Sequence, residues 1–390
     1  MKLMRKKSLL LALSCLWLVL FPAKGAVFQG CLYLLPLLVV VYRDTRKLFW
    51  EHAGHFAVLS GCFALPLLIS ELRAVVFFGR PFSDGAFEAF WRLAVVPLVL
   101  VTVCRYCRCT ARQLLIALVG VGIFYGLAGL SGVFFEMVPV LRSFGARAAG
   151  FVSNPNPFGF LMAVTCLVAL FLVMTARHNR ELVFAVVGGG VGFAGLLVSG
   201  SRSALLAWCV ALVVMVVLGW RHCPVFSLSK RTMVCGGVVV LLLVAIVVAL
   251  PSCYVDLIHH RMAHVAQGDI RLTIWSRYLE RFVEHPVLGV PICCDHKIQI
   301  NGQGFGPHNM YLSVLVQSGI VGAGALISGL LWLIRKTALN CRERTVVVPM
   351  ALLLCFYCFF NSSFFGNEMT QGVFALVVVL SLHRINELTG

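Results

Sequence analysis

Apolar stretches long enough to cross a bilayer recur along almost the whole chain, and they leave little choice of fold. A bilayer core asks for about 20 apolar residues per helix, with roughly 17 tolerated. Twelve stretches meet or approach that length, centred on 8–23, 26–42, 53–70, 89–104, 113–138, 157–176, 182–199, 203–219, 232–250, 310–334, 345–361 and 369–383. The fourth and twelfth are short, so counts of eleven or ten stay open. Only 12% of the 390 residues are charged and 60% are hydrophobic, whereas a soluble domain carries roughly 25% charged residues. Such a chain cannot cover itself with a polar surface. The expectation is an all-α polytopic membrane protein of about 12 transmembrane helices, a single integral membrane domain over 1–390.

The formal net charge is +17, from 32 Lys+Arg against 15 Asp+Glu. In a soluble protein that excess would suggest nucleic acid; here its first meaning is topological, because loop Lys/Arg sets orientation. With the N-terminus in the cytoplasm, 20 of the 32 Lys+Arg fall in cytoplasmic segments and 12 outside, so both termini are expected in the cytoplasm. Met1 to Lys7 is basic and Ser8 to Phe21 apolar. An uncleaved signal-anchor is the reading, because a second span follows almost at once; cleavage near Ala23-Lys24-Gly25 would leave the later topology unchanged.

The longest polar stretch, 251–308, then lies on the outer, periplasmic side between spans 9 and 10. Within it Ile270, Ile274, Tyr278 and Phe282 recur at i, i+4, with Trp275, Leu279 and Val283 forming the next row, which predicts an amphipathic helix. Asp269 is its expected N-cap and Pro286 its stop. Arg277, Glu280, Arg281 and Glu284 form its polar face, spaced for pairing. The helix is expected to lie on or over the membrane mouth.

The apolar stretches are nearly free of charge, Arg92 and Glu136 near outer ends being exceptions. Coupled transporters place ionisable groups at the midplane, so their scarcity argues against ion coupling, though not against passive lipid or sugar transport. The outer ends, by contrast, collect cations. Arg142 and Arg147 precede Ser153-Asn154-Pro155-Asn156-Pro157. Arg202 stands in the short turn Ser199-Gly200-Ser201-Arg202-Ser203, and Arg271 opens the amphipathic helix. Any one arginine beside a bilayer can snorkel to headgroup phosphates. Several from distant positions can instead converge on one polyanion, since guanidinium forks take phosphate oxygens bidentately; a lipid-linked diphosphate is the polyanion expected at this depth.

His308 and Asn309 follow Gly302-Gln303-Gly304-Phe305-Gly306-Pro307. A lone interfacial histidine is commonly a structural or headgroup contact. Here Pro307 suits the first turn of a helix, whose positive end attracts anions and disfavours a protonated imidazole. A neutral imidazole beside a bound diphosphate is a reasonable general base.

Other signals are weaker. Cys104, Cys107 and Cys109 in a cytoplasmic turn lack a second ligand pair with zinc spacing, so no metal and no other cofactor is expected. Cys355 and Cys358 share a helix face and read as packing. Cys253 could pair with Cys293 or Cys294. No Walker loop or dinucleotide-binding glycine pattern is present, which argues against a nucleotide-driven mechanism. Asn361-Ser362-Ser363 has the form of a glycosylation sequon, which also arises by chance.

These residues resemble the O-antigen ligase and O-antigen polymerase superfamily of bacterial inner-membrane glycosyltransferases. The family pattern His-[Asn/Ser/Gln]-x9-Gly-x-x-[Gly/Thr/Tyr] is met by His308, Asn309, Gly319 and Gly322; Arg-x3-Leu by Arg202 and Leu206. Arg147 to Gly150 with Asn154-Pro155-Asn156 is similar to a third segment, and Arg271, Trp275 and Pro286 to Gly289 to a fourth. The matches run in family order from about 140 to 330; the first four spans carry none.

The resemblance implies transfer of a glycan from undecaprenyl diphosphate to an acceptor outside the inner membrane, without nucleotide sugar and without metal, in contact with membrane lipids and with no nucleic-acid partner. It implies His308 as the base that takes the acceptor's proton, with inversion at the anomeric carbon. Arg147, Arg202 and Arg271 would bind the diphosphate, Arg142 or Arg277 assisting, and Asn309 would orient His308 or bond the glycan. Lipid A–core oligosaccharide is the favoured acceptor. An O-antigen polymerase, a protein O-oligosaccharyltransferase and a non-enzymatic lipid-glycan transporter are the alternatives.

Overall fold

A computed structural model of the chain describes residues 9–15, 17, 26–82, 84–134, 142–144, 147–152, 154–176, 178–222, 270–290, 297–300, 302–340, 344–361 and 368–382. The ninth expected span, 232–250, lies outside the described residues, as do much of the first span, Glu136, Asp269, and Cys253 with Cys293 and Cys294. Residues 9–15 are helical. The labelled helices are α1 (Ala26–Val41), α2 (Arg43–Trp50), α3 (Ala53–Phe78), α4 (Ala86–Cys107), α5 (Ala111–Phe134), α6 (Pro155–Thr175), α7 (Asn179–Val198), α8 (Arg202–His222), α9 (Ile270–Glu284), α10 (Met310–Asn340), α11 (Arg344–Phe359) and α12 (Glu368–Leu382).

Seven of these, α3 to α8 and α10, are long and apolar enough to cross a membrane, and α11 and α12 are shorter apolar helices. The protein is therefore a mostly helical, multi-pass membrane protein. The third expected span ends too early at residue 70. Its helix runs on to Phe78, because Glu71 and Arg73 are followed by another apolar turn, Ala74 to Phe78, before Gly79 at φ +60° stops it.

Both α3 and α4 contain a widened π turn, at Ser60–Ala64 and Trp91–Val95, each followed by a proline (Pro66, Pro97). A proline inside a helix has no N–H to donate and its ring crowds the preceding turn. The extra residue in the wide turn gives that ring room. The two wide turns pack on each other, and Phe63 from the first meets Phe374 of α12 at 4.7 Å.

The core is centred on α6, which is buried along most of its length between α5, α7, α8 and α11. Its N-terminus is set by Asn154, whose Oδ1 accepts from the Asn156 N–H at 2.8 Å, with Pro155 at the first helical position. Buried hydroxyls inside the apolar helices are satisfied locally: Thr165 bonds the Leu161 carbonyl, and Thr337 and Ser381 also meet across α10 and α12 at 2.6 Å.

Polar contacts gather at two ends. At one, Arg112 at the start of α5 pairs with Glu181 of α7 at 2.6 Å and bonds the Thr175 carbonyl; there too Arg105 of α4 contacts His52 at 3.0 Å. His52 stacks toward His55, and His55 toward Trp332, far along α10. The other end carries two small antiparallel hairpins, β1 (Arg142–Phe144) with β2 (Arg147–Gly150), and β3 (Ile298–Ile300) with β4 (Gln303–Phe305).

Candidate functional site

Arg147 leads β2, opposite Phe144 in the hairpin. Its Nε donates to the Ser199 carbonyl at 2.8 Å and its second terminal nitrogen to Asn156 Oδ1 at 2.5 Å. The Asn-Pro-Asn segment thus has a division of labour: Asn154 caps α6 and Asn156 receives Arg147. Arg142 is opposite Gly150 in the same hairpin; its side chain lies outside the described residues.

The turn that Arg147 holds is also the turn that presents Arg202. Gly200 at φ +58° reverses the chain, and Ser201 caps α8, its Oγ accepting from the Ala204 N–H at 3.4 Å while its carbonyl takes the Leu205 N–H. Arg202 is therefore the first helical residue, and it is exposed. A cation there is disfavoured by the positive helix end. The same two positive features favour an anion placed beside them. One residue on, Ser203 Oγ accepts from Asn361 Nδ2 at 3.0 Å. Asn361 also donates to the Tyr357 carbonyl and is 8% exposed. It belongs to the interior of this end rather than to a surface sequon.

From Asn361 the contacts continue into an aromatic group. Phe359, two residues earlier, meets Trp275 of α9 edge-on at 5.5 Å and Tyr311 of α10 at 6.3 Å. Trp275 Nε1 donates to the Pro307 carbonyl at 2.8 Å, and Tyr278 donates to that of Phe305 at 3.2 Å. Ile274 and Tyr278 are buried against Ile298, Leu312 and Val316. The packed face thus takes Ile274, Tyr278 and Phe282 from the first predicted row and Trp275 from the second, while Ile270, Leu279 and Val283 are exposed. Arg271 is half-buried one turn before Trp275. Arg277 lines a cleft of about 810 Å³ with Arg281, Glu280, Glu284, Lys297 and Gln299, bordered by Ile298.

His308 is exposed and has φ +47°, an uncommon conformation outside glycine. It stands between Pro307, tied to Trp275, and Asn309, which is 5% exposed. Asn309 Oδ1 accepts from the Leu312 N–H at 3.1 Å, and its carbonyl from Ser313. One expectation changes here. Pro307 is not in the first turn, since the helix begins at Met310 and Asn309 is its cap. The carboxamide oxygen of Asn309 takes part in that cap, which leaves its Nδ2 as the group able to meet a ligand.

The glycines after His308 have a structural reason. Gly319 has φ +64° and ψ −163° inside α10, so the helix is broken there. Segment 286–290 fills the break: Ile320 N–H donates to the Pro286 carbonyl at 2.9 Å, Val321 N–H to that of Val287, and Val290 N–H to that of Val316. Backbone groups orphaned by the break are satisfied by another strand, as lipid demands. Gly322 sits where a Cβ would come within 3.3 Å of Pro66 Cα on α3.

Sequence reasoning missed Arg73. Its guanidinium reaches from α3 to the carbonyls of Leu288 (2.7 Å) and Gly289. An arginine two residues after a glutamate, followed by a further apolar turn, was the available signal. Asn361 was also passed over, because its sequon form drew attention from its place at a helix end.

A continuous path of contacts therefore runs from Arg147 through the Ser199–Ser203 turn bearing Arg202, Asn361, Phe359 and Trp275 to Pro307 and His308. Of the expected site residues the path takes in Arg147, Arg202 and His308, while Arg277 lines the α9 cleft. No curated protein matches the chain. Residues 188–327, from α7 into α10, match the model of a family described as O-antigen ligase; the stretch includes Arg202, Arg271, Arg277, His308, Asn309, Gly319 and Gly322, and excludes Arg73, Arg142, Arg147 and Asn361. That match covers about a third of the chain, and over it the protein is similar to the O-antigen ligase family.

Proposed function

We propose that the protein transfers a glycan from undecaprenyl diphosphate to a hydroxyl of an acceptor on the outer face of the bacterial inner membrane, with lipid A–core oligosaccharide as the acceptor and both termini in the cytoplasm. The observation that carries this reading is the contact path joining the turns that bear Arg147 and Arg202 to the segment that bears His308. The similarity of residues 188–327 to the O-antigen ligase family supports the general class, ligases and polymerases of lipid-linked glycans. The acceptor and the individual roles are the proposal.

Cleavage of the anomeric C–O bond leaves negative charge on the departing diphosphate. Fixed positive groups stabilise that charge as it develops, without reorganising at the moment of reaction. Arg202 at the start of α8 and Arg271 at the start of α9 fill that role, with Arg147 contributing charge while it fixes the Ser199 turn. His308 takes the acceptor hydroxyl proton during attack, and direct displacement inverts the anomeric carbon. Arg142 adds positive charge at the β1–β2 hairpin, and Arg277 at the α9 cleft. No cofactor takes part in this scheme.

The test is transfer by the full chain in lipid nanodiscs, given a defined undecaprenyl diphosphate glycan and, in separate reactions, lipid A–core, a second lipid-linked glycan, or a peptide. Ligase activity predicts a glycosylated lipid A–core of inverted anomeric configuration and release of undecaprenyl diphosphate. Product on the lipid-linked glycan or the peptide would instead identify a polymerase or a protein glycosyltransferase. Movement of intact donor with no released diphosphate would make the protein a transporter and overturn the proposal.

A further inference from the structure

Two thiols, Cys104 and Cys109, meet at the end of α4 that bears Arg105. Arg105 in its last turn contacts His52, which leads through His55 to Trp332, far down the helix that His308 precedes. The helix closes with Arg108 left-handed at φ +58°, and the Cys109 N–H donates to the Cys104 carbonyl at 2.9 Å. That six-to-one bond is the Schellman closure, which brings the residue after the left-handed one back onto the last full turn. The side-chain contact that accompanies such a closure is usually apolar. Here it is thiol to thiol, Cys104 and Cys109 being hydrogen-bonded to each other. Cys15, from the helical stretch 9–15, and Cys107 approach the same pair.

We propose that Cys104 and Cys109 form a reversible dithiol–disulfide site, with hydrogen peroxide or a related hydroperoxide as the oxidant. Cys109 is half-buried and Cys104 is buried, so the first accessible to a small oxidant is Cys109. Its hydrogen bond with Cys104 lowers its pKa below the ordinary thiol value against the opposing effect of burial, which favours the thiolate, the reactive form. Among the described residues no three His, Cys, Asp or Glu groups are disposed to hold a metal ion, and the pair reads as redox chemistry.

The steps balance. Cys109 thiolate attacks one peroxide oxygen; the S–O bond forms as O–O breaks, and the leaving hydroxide takes a proton to become water. Cys104 sulfur then attacks Cys109 sulfur; S–S forms as S–O breaks, and hydroxide leaves as a second water with the Cys104 proton. Two thiols are oxidised by two electrons and one peroxide is reduced to two waters. A cytoplasmic thiol reductant reverses the bond by exchange. The site lies outside the family-matched residues and is independent of the transfer reaction.

The experiment treats the full-length protein in detergent with hydrogen peroxide, blocks remaining thiols with iodoacetamide, and maps disulfides by peptide mass spectrometry with and without dithiothreitol. The expected product has lost two hydrogens and links Cys104 to Cys109, reversibly. Before oxidation Cys109, half-buried and with its thiolate favoured, should be alkylated faster at pH 7 than the buried Cys104. In Cys104→Ser, dimedone should trap a sulfenic acid at Cys109. Full alkylation of both residues after peroxide, or a principal disulfide joining Cys15 to Cys109, would overturn the assignment.

Discussion

Gly289 and Gly319 share one backbone junction that has no room for a side chain on either. A Cβ on Gly289 would stand 2.4 Å from the Val316 carbonyl oxygen, and one on Gly319 2.1 Å from that of Val287. Both have positive φ, +70° and +64°. Segment 286–290 follows α9, and α10 follows His308, so this junction ties the amphipathic helix to the helix that carries the proposed base. Gly319→Ala should therefore cost about 1–3 kcal/mol from its backbone conformation alone, with displacement of the segment added. Gly324→Ala, in the same helix with nothing within 4 Å, should be neutral or slightly stabilising. Thermal unfolding in detergent checks the pair; equal midpoints for the two variants would show that the break is dispensable.

Arg73 holds the same segment from the other side. Arg73→Ala should leave the Leu288 and Gly289 carbonyls without that donor and raise amide hydrogen exchange across 287–290 and the neighbouring break. Arg73→Lys, with one compact ammonium instead of a planar fork, should restore protection only in part. Unchanged exchange in the alanine variant would mean that the backbone bonds of the junction suffice.

How much of this was legible in the chain depends on the range of the interaction. Periodicity placed α9, its packed face through Ile274 and Tyr278, and its end before Pro286, because burial of one helix face leaves a local pattern. Apolar runs placed most spans. The end of α3 was lost because two charges, Glu71 and Arg73, interrupt the hydropathy while the backbone continues helical into the next apolar turn. The tie between Pro286-x-x-Gly289 and Gly319 was visible only as two separate patterns; nothing local says that one fills a gap in the other. Pro307 read as the first turn of a helix because proline suits that place, yet Phe305 two residues earlier ends a strand and Asn309 is the cap. Arg277 was expected to assist Arg271, but six residues apart on one helix the two stand about 120° apart around its axis.

The two arginines at the Ser199–Ser203 turn should separate on mutation. Arg147→Ala removes donors to the Ser199 carbonyl and to Asn156, the first of which belongs to a fully buried residue. It should lower both stability, by about 1–3 kcal/mol for the unsatisfied groups, and transfer. Arg202→Ala touches an exposed side chain at a helix start and should leave the unfolding midpoint within a degree or two while weakening donor binding. Titration of donor binding beside thermal unfolding makes the distinction. An Arg202 variant with unaltered donor affinity would remove it from the diphosphate site.

His308→Ala should keep the fold, since the side chain is exposed and its backbone neighbours are held by Trp275 and the Asn309 cap. Loss of general-base catalysis costs typically 10²–10⁴-fold in rate, and transfer should fall by that amount with donor binding retained. Near-normal turnover in a well-inserted variant would assign the proton transfer elsewhere.

At the opposite end of the protein, His52 should make stability fall in acid. Its ring is buried, its Nε2 contacts Arg105 at 3.0 Å, and His55 lies beside it. Burial first, then the Arg105 and His55 charges, hold its pKa at about 4, down from 6.5. Arg105 is in turn 3.7 Å from Glu51, and Lys336 acts on His55, so the local balance around the ring is cationic. Between pH 6.5 and 4 the unfolded chain binds a proton at this position that the folded chain refuses. Stability linked to His52 is thus fully present above pH 6.5, declines as pH falls toward 4, and changes no further below. His52→Gln keeps an amide opposite Arg105 and cannot titrate, so its unfolding midpoint should vary less between pH 7 and pH 4.5 than that of the unaltered protein. Parallel pH profiles for the two would show that the imidazole takes its proton as readily folded as unfolded.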